Sequence, residues 1–173
     1  MIGYNHQNHG GDRMKKISSL LALSITTGIL CGVWTGVSGA VGLLGWAGFA
    51  GCTTYFATGK HGVAGLKNAI IPNLAGVICG MTIITLGNFF PVWGNIGIWS
   101  GIISFVICII TKFKLFSFTP GTFLGCFVTF AAGGDWKLLV PSIIIGAFLG
   151  WACDTSGGWL YRIVSGNGKE ELD

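Results

Sequence analysis

Residues 118–137 read FTPGTFLGCFVTFAAGGDWK, and an earlier stretch of the chain repeats them. Moved 74 positions upstream without a gap, residues 119–137 fall on GWAGFAGCTTYFATGKHGV at residues 45–63. A general bias towards apolar residues explains matched Ile and Phe more easily than matched Gly and Cys, so the pattern predicts an internal duplication. The identities over residues 49–80 and 123–154 are Phe49/Phe123, Gly51/Gly125, Cys52/Cys126, Phe56/Phe130, Ala57/Ala131, Gly59/Gly133, Ile70/Ile144, Ile71/Ile145, Gly76/Gly150 and Cys79/Cys153.

The composition around these copies indicates a membrane protein. Only 9% of the 173 residues are charged, 51% are hydrophobic and 30 are Gly, so a soluble domain of this size would lack a charged surface. A membrane-spanning helix needs about 20 apolar residues. We therefore predict an all-α fold of six transmembrane helices, of which the second and fifth are short enough to be tilted or re-entrant. The predicted spans are 17–36, 39–57, 63–86, 93–111, 115–132 and 138–158.

The basic residues predict the orientation of these spans. Six crossings with a cytoplasmic N-terminus leave only Lys137 outside, which agrees with the positive-inside rule. Both termini are then cytoplasmic, with a disordered polar tail at residues 1–16, a membrane domain at 17–160 and a C-terminal tail at 161–173. A unit of three crossings repeated once must run in opposite directions, so the spans form two inverted three-helix repeats. The predicted inner residues are Arg13, Lys15, Lys16, Lys60, Lys112, Lys114, Arg162 and Lys169.

Catalytic and metal-binding patterns are missing from the sequence. It contains no HExxH, GxSxG or P-loop motif, and its only histidine outside the N-terminal tail is His61. The six cysteines fall one in each predicted span without a CxxC pair, which is typical of small apolar packing residues. We therefore predict no enzymatic activity, no cofactor and no metal site.

Polar residues inside the spans are the candidates for function, since each must be paired or face a wet cavity. Pro72 removes a backbone hydrogen bond from the third span and is expected to open that helix. Pro141 lies at a similar depth in the last span, and paired helix breaks mark binding regions in transporters. Asp135 is expected to cap the last helix, whereas Asp154 near its end opposes the helix dipole and is a lead for function.

These residues define a predicted solute path between the repeats. Its hydrogen-bonding groups come from facing helices, and two matched aromatic residues are expected to narrow it. The alternative for the aromatic residues is core packing. The predicted residues are Asn68, Asn73, Thr122, Thr129, Ser142, Phe56 and Phe130.

Glycines at helical spacing predict close helix contacts. With so many of these seams and so little helix surface to enclose a cavity, the chain is expected to form a homo-oligomer. The seams are Gly28/Gly32/Gly36, Gly42/Gly45/Gly48/Gly51, Gly76/Gly80, Gly97/Gly101, Gly121/Gly125 and Gly146/Gly150.

Three strings carry a family resemblance: SITTGIL, GLLGWAGF-GC-T-YFA and FTPGTFLGC--TFA-GGDWKL--PS. They resemble the small inner-membrane proteins of the family DUF1097, over residues 17–160. The resemblance implies a bacterial multi-pass inner-membrane protein and brings no substrate or site residues.

Taken together, these patterns favour a channel or passive carrier for a small neutral or anionic solute. Inverted repeats frame solute sites in secondary transporters, and a chain of acidic or basic groups for active coupling is missing from the spans. The alternative is a non-transporting membrane scaffold or accessory subunit, in which the same glycines and aromatics serve only packing. The expected partners are the lipid bilayer and further copies of the chain, and no nucleic acid.

Overall fold

Helices make up the regular structure of the described chain. The computed structural model describes residues 18–90 and 95–165. The predicted N-terminal tail at 1–16 and residues 166–173 of the predicted C-terminal tail lie outside the described residues. The helices are α1 Ser19–Ala40, α2 Gly45–Ala57, α3 Gly62–Phe89, α4 Asn95–Ile110, α5 Thr119–Ala131 and α6 Trp136–Val164, with a 3-10 turn at Lys114–Phe116.

Each of these six helices lies mainly within one predicted span, although α1, α3 and α6 extend beyond theirs, and the helices differ in length. Three of them, α1, α3 and α6, are long and apolar enough to cross a membrane. The helices α4 and α5 are apolar but shorter. Thirteen residues make α2 and α5 each about 20 Å long, against a hydrocarbon core of about 30 Å.

Local sequence signals fix where these helices begin and end. The Ser18 hydroxyl accepts a hydrogen bond from the Leu21 amide at 3.1 Å, and the Asp135 carboxylate accepts one from the Leu138 amide at 3.3 Å. Both side chains satisfy amides that the first helical turn leaves unpaired, and the predicted cap at Asp135 is confirmed. The short helices each end in a turn with a left-handed glycine, Gly59 at φ 63° and Gly133 at φ 61°.

The prediction that Pro72 opens its helix is wrong. The helix α3 runs without interruption from Gly62 to Phe89, and α6 likewise runs through Pro141. Proline removes one hydrogen bond from a helix, but neighbouring helices hold a membrane helix together at that point. Pro72 is buried, and its Cβ lies 3.1 Å from where a Cβ would stand on Gly121 of α5.

The short helices pack mainly on the long helices of the other half. On α2, Gly48 and Cys52 approach Gly146 and Gly150 of α6. On α5, Thr122 and Cys126 approach Gly76 and Gly80 of α3. In both pairs the contacts advance in the same direction along the two helices, so the helices of each pair are parallel.

The α2–α6 contact repeats the α5–α3 contact residue by residue. Gly48 of α2 corresponds to Thr122 of α5, a shift of 74 positions, as in the gap-free alignment. Gly76 of α3, however, occupies the packing position of Gly146 in α6, a shift of 70 positions. The same shift relates Gly80 to Gly150, so the aligned pair Gly76/Gly150 does not share a packing position.

A slide of the long helices explains this difference. Four residues correspond to about one helical turn, or about 6 Å of axial travel. The helices α3 and α6 begin 74 residues apart, at Gly62 and Trp136, yet they meet their partners one turn out of step. Glycine positions set this register, because backbones approach closely only where a Cβ is missing.

Some of the predicted glycine seams form close helix contacts inside the bundle, and others contact no other helix of the described chain. A Cβ on Gly51, Gly76, Gly125 or Gly146 would overlap a backbone carbonyl oxygen of the partner helix. The predicted seams on α1 and α4 pack against nothing in the described chain: a Cβ on Gly28, Gly32, Gly36, Gly97 or Gly101 would meet no described atom within 4 Å. Those two seams therefore face away from the other described helices of the chain.

Candidate functional site

A buried polar pair lies between α2 and α3. Thr54 and Asn73 are each 1% exposed, and the Thr54 hydroxyl lies 3.3 Å from Asn73 Oδ1 and 2.8 Å from the Ala50 carbonyl oxygen. Asn73 Nδ2 is buried without a hydrogen-bond partner among the described residues. If the amide were turned by 180°, Nδ2 would donate to the Thr54 hydroxyl and Oδ1 would lose its partner. In either orientation one amide atom stays unpaired.

The fold does not require polar side chains at this place. Under the packing correspondence, Thr54 maps onto Val128 and Asn73 maps onto Ile143. Val128 is 2% exposed and Ile143 is fully buried, and both belong to one apolar cluster. The same helix contact is therefore built once from apolar side chains and once from a polar pair. A buried polar group without full pairing costs about 1–3 kcal/mol, which makes the Thr54–Asn73 pair a candidate for function.

Thr122 contributes a second unpaired polar atom to the same region. It is 1% exposed, and its Oγ1 is buried without a partner in the described part of the chain. Thr122 lies where α5 meets Gly76 of α3, one turn from Asn73, and Gly125 on the next turn of α5 touches the Asn73 backbone. Two of the predicted path residues thus meet at one helix contact with unused hydrogen-bonding capacity.

The other polar residues of the predicted path are paired within the protein. The Ser142 hydroxyl donates to the Leu138 carbonyl at 2.6 Å and accepts from the Leu44 amide at 2.9 Å, which holds the start of α2 on α6. The Thr129 hydroxyl donates to the Gly125 carbonyl in its own helix at 2.8 Å. The Asn68 amide donates to the Ala64 carbonyl at 2.8 Å, and the Asn68 side chain is partly exposed.

The two predicted aromatic constrictions lie on the outer surface of the single chain. Phe56 is 37% exposed and Phe130 is 42% exposed. Phe56 also stands edge-on to Tyr55, with ring centroids 5.7 Å apart. One chain alone therefore does not narrow a path with them, because neither side chain is enclosed between its helices.

A polar cluster joins α2, the following turn and α6 near the predicted cytoplasmic end. The Tyr55 hydroxyl donates to the Asp154 carboxylate at 2.7 Å and accepts from the Gly62 amide at 2.9 Å. The exposed His61 ring lies 2.9 Å from the same carboxylate. Since each polar group in this Tyr55–Asp154 cluster has a partner, its clearest role is to fix the turn onto α6. The sequence-based expectation that Asp154 opposes the dipole of a helix end is wrong, because α6 continues for ten residues beyond it to Val164 and the dipole acts only within the last turn.

Known proteins resemble this chain over most of its length. A family model described as a protein of unknown function (DUF1097) matches residues 24–158. The chain belongs to the DUF1097 family. Two relatives named inner membrane protein YcdZ are 46% identical over 142 residues in Escherichia coli and 43% identical over 142 residues in Salmonella typhimurium. Each alignment covers 82% of this chain, with 87% and 89% of the relatives' lengths.

A more distant relative is the uncharacterized protein YahC of Escherichia coli. It is 30% identical over 153 residues, which is 82% of this chain and 92% of the relative. No solved structure matches the chain. The expected membership of DUF1097 is confirmed, and the family match spans the Thr54–Asn73 pair, Thr122 and the Tyr55–Asp154 cluster.

Thr54 of the Thr54–Asn73 pair and Tyr55 of the Tyr55–Asp154 cluster were not predicted from the sequence as functional residues. Thr54 was not among the predicted path residues, because nothing in the sequence distinguishes it from the adjacent Thr53 as the threonine that faces Asn73. Tyr55 was not among the candidate functional residues either. Its position 74 residues before the smaller Thr129 was a usable signal, since a large polar side chain in one copy alone suggests a partner in that copy.

Proposed function

We propose that this DUF1097 protein is a channel or passive carrier for a small neutral or anionic solute in the bacterial inner membrane. The observation that carries the proposal is the Thr54–Asn73 pair, which retains an unpaired amide atom at a position that the other half fills with Val128 and Ile143. A solute that hydrogen-bonds there, and to the Thr122 hydroxyl, would use groups that the fold leaves unused.

The chemistry of these groups favours a neutral solute over an anion. An amide and two hydroxyls can replace the hydrogen bonds that a solute gives up on leaving water. They carry no charge with which to neutralise an ion in a medium of low dielectric constant. These groups replace little of the hydration that an anion loses on leaving water. Among anions, the proposal is therefore restricted to weakly hydrated ones.

We propose six membrane crossings in two inverted repeats with both termini cytoplasmic. The parallel pairs α2–α6 and α3–α5 support it, because α2 and α3 are joined by a short turn and so run in opposite directions. The matching helices α2 and α5 would then be antiparallel. The distribution of basic residues supports the orientation.

Reporter fusions after Gly59, Gly87, Gly133 and Asp173 test this topology. A reporter active in the cytoplasm is expected after Gly59 and Asp173, and one active in the periplasm after Gly87 and Gly133. A cytoplasmic signal at Gly133 or a periplasmic one at Asp173 would refute the inversion.

We propose that the protein assembles as a homo-oligomer. The outward glycine seams of α1 and α4 support this, since they offer helix faces on which a second backbone can pack closely. Native mass spectrometry in detergent is expected to show one species larger than the monomer. Gly32→Leu is expected to shift it to monomer, whereas Gly158→Leu, at an exposed position of α6 outside the seams, is expected to leave it unchanged. Monomer at every protein concentration would contradict the proposal.

Flux into liposomes tests the function itself. Proteoliposomes are expected to pass small neutral solutes such as glycerol or urea faster than empty liposomes, with a smaller effect for formate or nitrate, and without dependence on a proton gradient. Leak equal to that of empty liposomes across the whole panel would favour the alternative, a membrane scaffold.

A further inference from the structure

Three cysteine side chains converge between α1, α2 and α6. The sulfur atoms of Cys31, Cys52 and Cys153 all lie within 4.8 Å of one another. Cys52 is 5% exposed, Cys153 is fully buried and Cys31 is partly buried. The residues are 21 and 101 positions apart in sequence, so no local ligand motif announces this thiol cluster.

The fold does not require thiols at this place either. Under the packing correspondence, Cys52 maps onto Cys126 and Cys153 maps onto Ile83. Cys126 and Ile83 form an apolar cluster with Ile107 of α4, the counterpart of the contact that α1 makes in the first half. The other half thus closes the same three-helix contact with two isoleucines and one cysteine.

We propose that Cys31, Cys52 and Cys153 form an intramembrane site for a soft monovalent metal ion of the Cu(I) type. Thiolate sulfur selects soft ions, whereas carboxylates and water select hard ones. A metal bonded to three sulfurs at about 2.3 Å holds them about 4 Å apart in a trigonal plane. The observed separation of at most 4.8 Å therefore requires a closure of less than about 1 Å at each sulfur.

The surroundings favour Cu(I) over Zn(II). Zinc sites in proteins take four ligands in a tetrahedron, and the fourth candidate here, Asp154, is engaged by Tyr55 and His61. Each cysteine that bonds the metal releases its thiol proton to solvent, because the deprotonated sulfur is the ligand.

One further polar group lies beside the thiols. The Thr27 hydroxyl oxygen, one helical turn before Cys31, is buried without a hydrogen-bond partner among the residues described. A hydroxyl in this position can donate to a thiolate and stabilise its negative charge, as outer-shell groups do at metal centres. Cys153 also directly precedes the partly exposed Asp154 in the interior of α6. The inference does not depend on the proposed solute path.

Anaerobic competition for Cu(I) tests the site. Purified full-length protein is titrated against the chromophoric Cu(I) complex of bicinchoninate. We expect one Cu(I) per chain, with three sulfur neighbours by X-ray absorption, and no displacement by a tenfold excess of Zn(II). Outer-shell changes already lower metal affinity about 10–100-fold, so loss of a ligand in Cys31→Ala is expected to lower it by more than about 100-fold.

Variants from the other half provide the controls. Cys153→Ile copies the residue that the chain itself uses at Ile83, which lets loss of binding be separated from loss of folding. Cys79→Ala with Cys126→Ala removes the two thiols near the corresponding contact and is expected to leave binding unchanged. Absence of Cu(I) binding to the native chain, two sulfur neighbours, preference for Zn(II), or unchanged affinity in a folded Cys31→Ala or Cys153→Ile variant would overturn the proposal.

Discussion

Alanine in place of Gly76 or Gly146 will prevent the bundle from packing, although it adds only one methyl group. A Cβ on Gly76 would overlap the Thr122 carbonyl oxygen, and one on Gly146 would overlap the Gly48 carbonyl oxygen. A backbone carbonyl in a helix cannot move aside as a flexible side chain can. We expect each substitution to destabilise the protein by more than about 3 kcal/mol, at the upper end of the cost of overpacking a core.

Thermal unfolding in detergent and the yield of monodisperse protein measure this effect. The matched control is Gly158→Ala on the exposed face of α6, whose new Cβ would meet no described atom within 4 Å. There the higher helix propensity of alanine acts alone, and we expect no loss of stability and up to about 1 kcal/mol of gain. Equal melting temperatures for Gly76→Ala and the native chain would contradict the packing described here.

Under the proposed transport function, copying the apolar pair into the polar position will strongly reduce flux while preserving the fold. The double variant Thr54→Val with Asn73→Ile reproduces Val128 and Ile143, which occupy the corresponding contact. Replacing both partners of a buried hydrogen bond by apolar groups is nearly neutral or stabilising. A solute that loses its hydrogen-bond partners in the core faces a barrier higher by about 1–3 kcal/mol, so flux is expected to fall about tenfold or more.

Liposome flux and thermal unfolding are measured on the same preparations. Asn68→Leu is the matched control, because the Asn68 amide bonds its own helix and the side chain is partly exposed, so flux is expected to stay near the native value. Asn73→Leu alone is expected to behave as the double variant does, since the Thr54 hydroxyl keeps the Ala50 carbonyl as its acceptor. Undiminished flux in a folded double variant would remove the Thr54–Asn73 pair from the solute path.

The sequence by itself determined that this is a helical membrane protein and where its helices lie. Apolar runs, glycine turns and caps such as Asp135 influence only residues close to them in sequence, so they can be recognised without a structure. The matched cysteines and glycines also determined which short helix corresponds to which, since α2 and α5 begin and end 74 residues apart. Asn73 and Thr122 were identified because polar residues are rare in apolar spans.

Only the tertiary structure decided how the helices meet. A gap-free alignment counts positions along the chain, whereas packing depends on how far one helix slides along another, and the long helices are displaced by one turn. The structure therefore gives Gly76 the packing position that Gly146 has in the other half, and it leaves the Gly32 seam open. Ser142 gains a hydrogen bond from the Leu44 amide, while one amide atom of Asn73 has no partner among the described residues. The thiol cluster has the same origin, because residues on three separate helices meet only once the register between those helices is set.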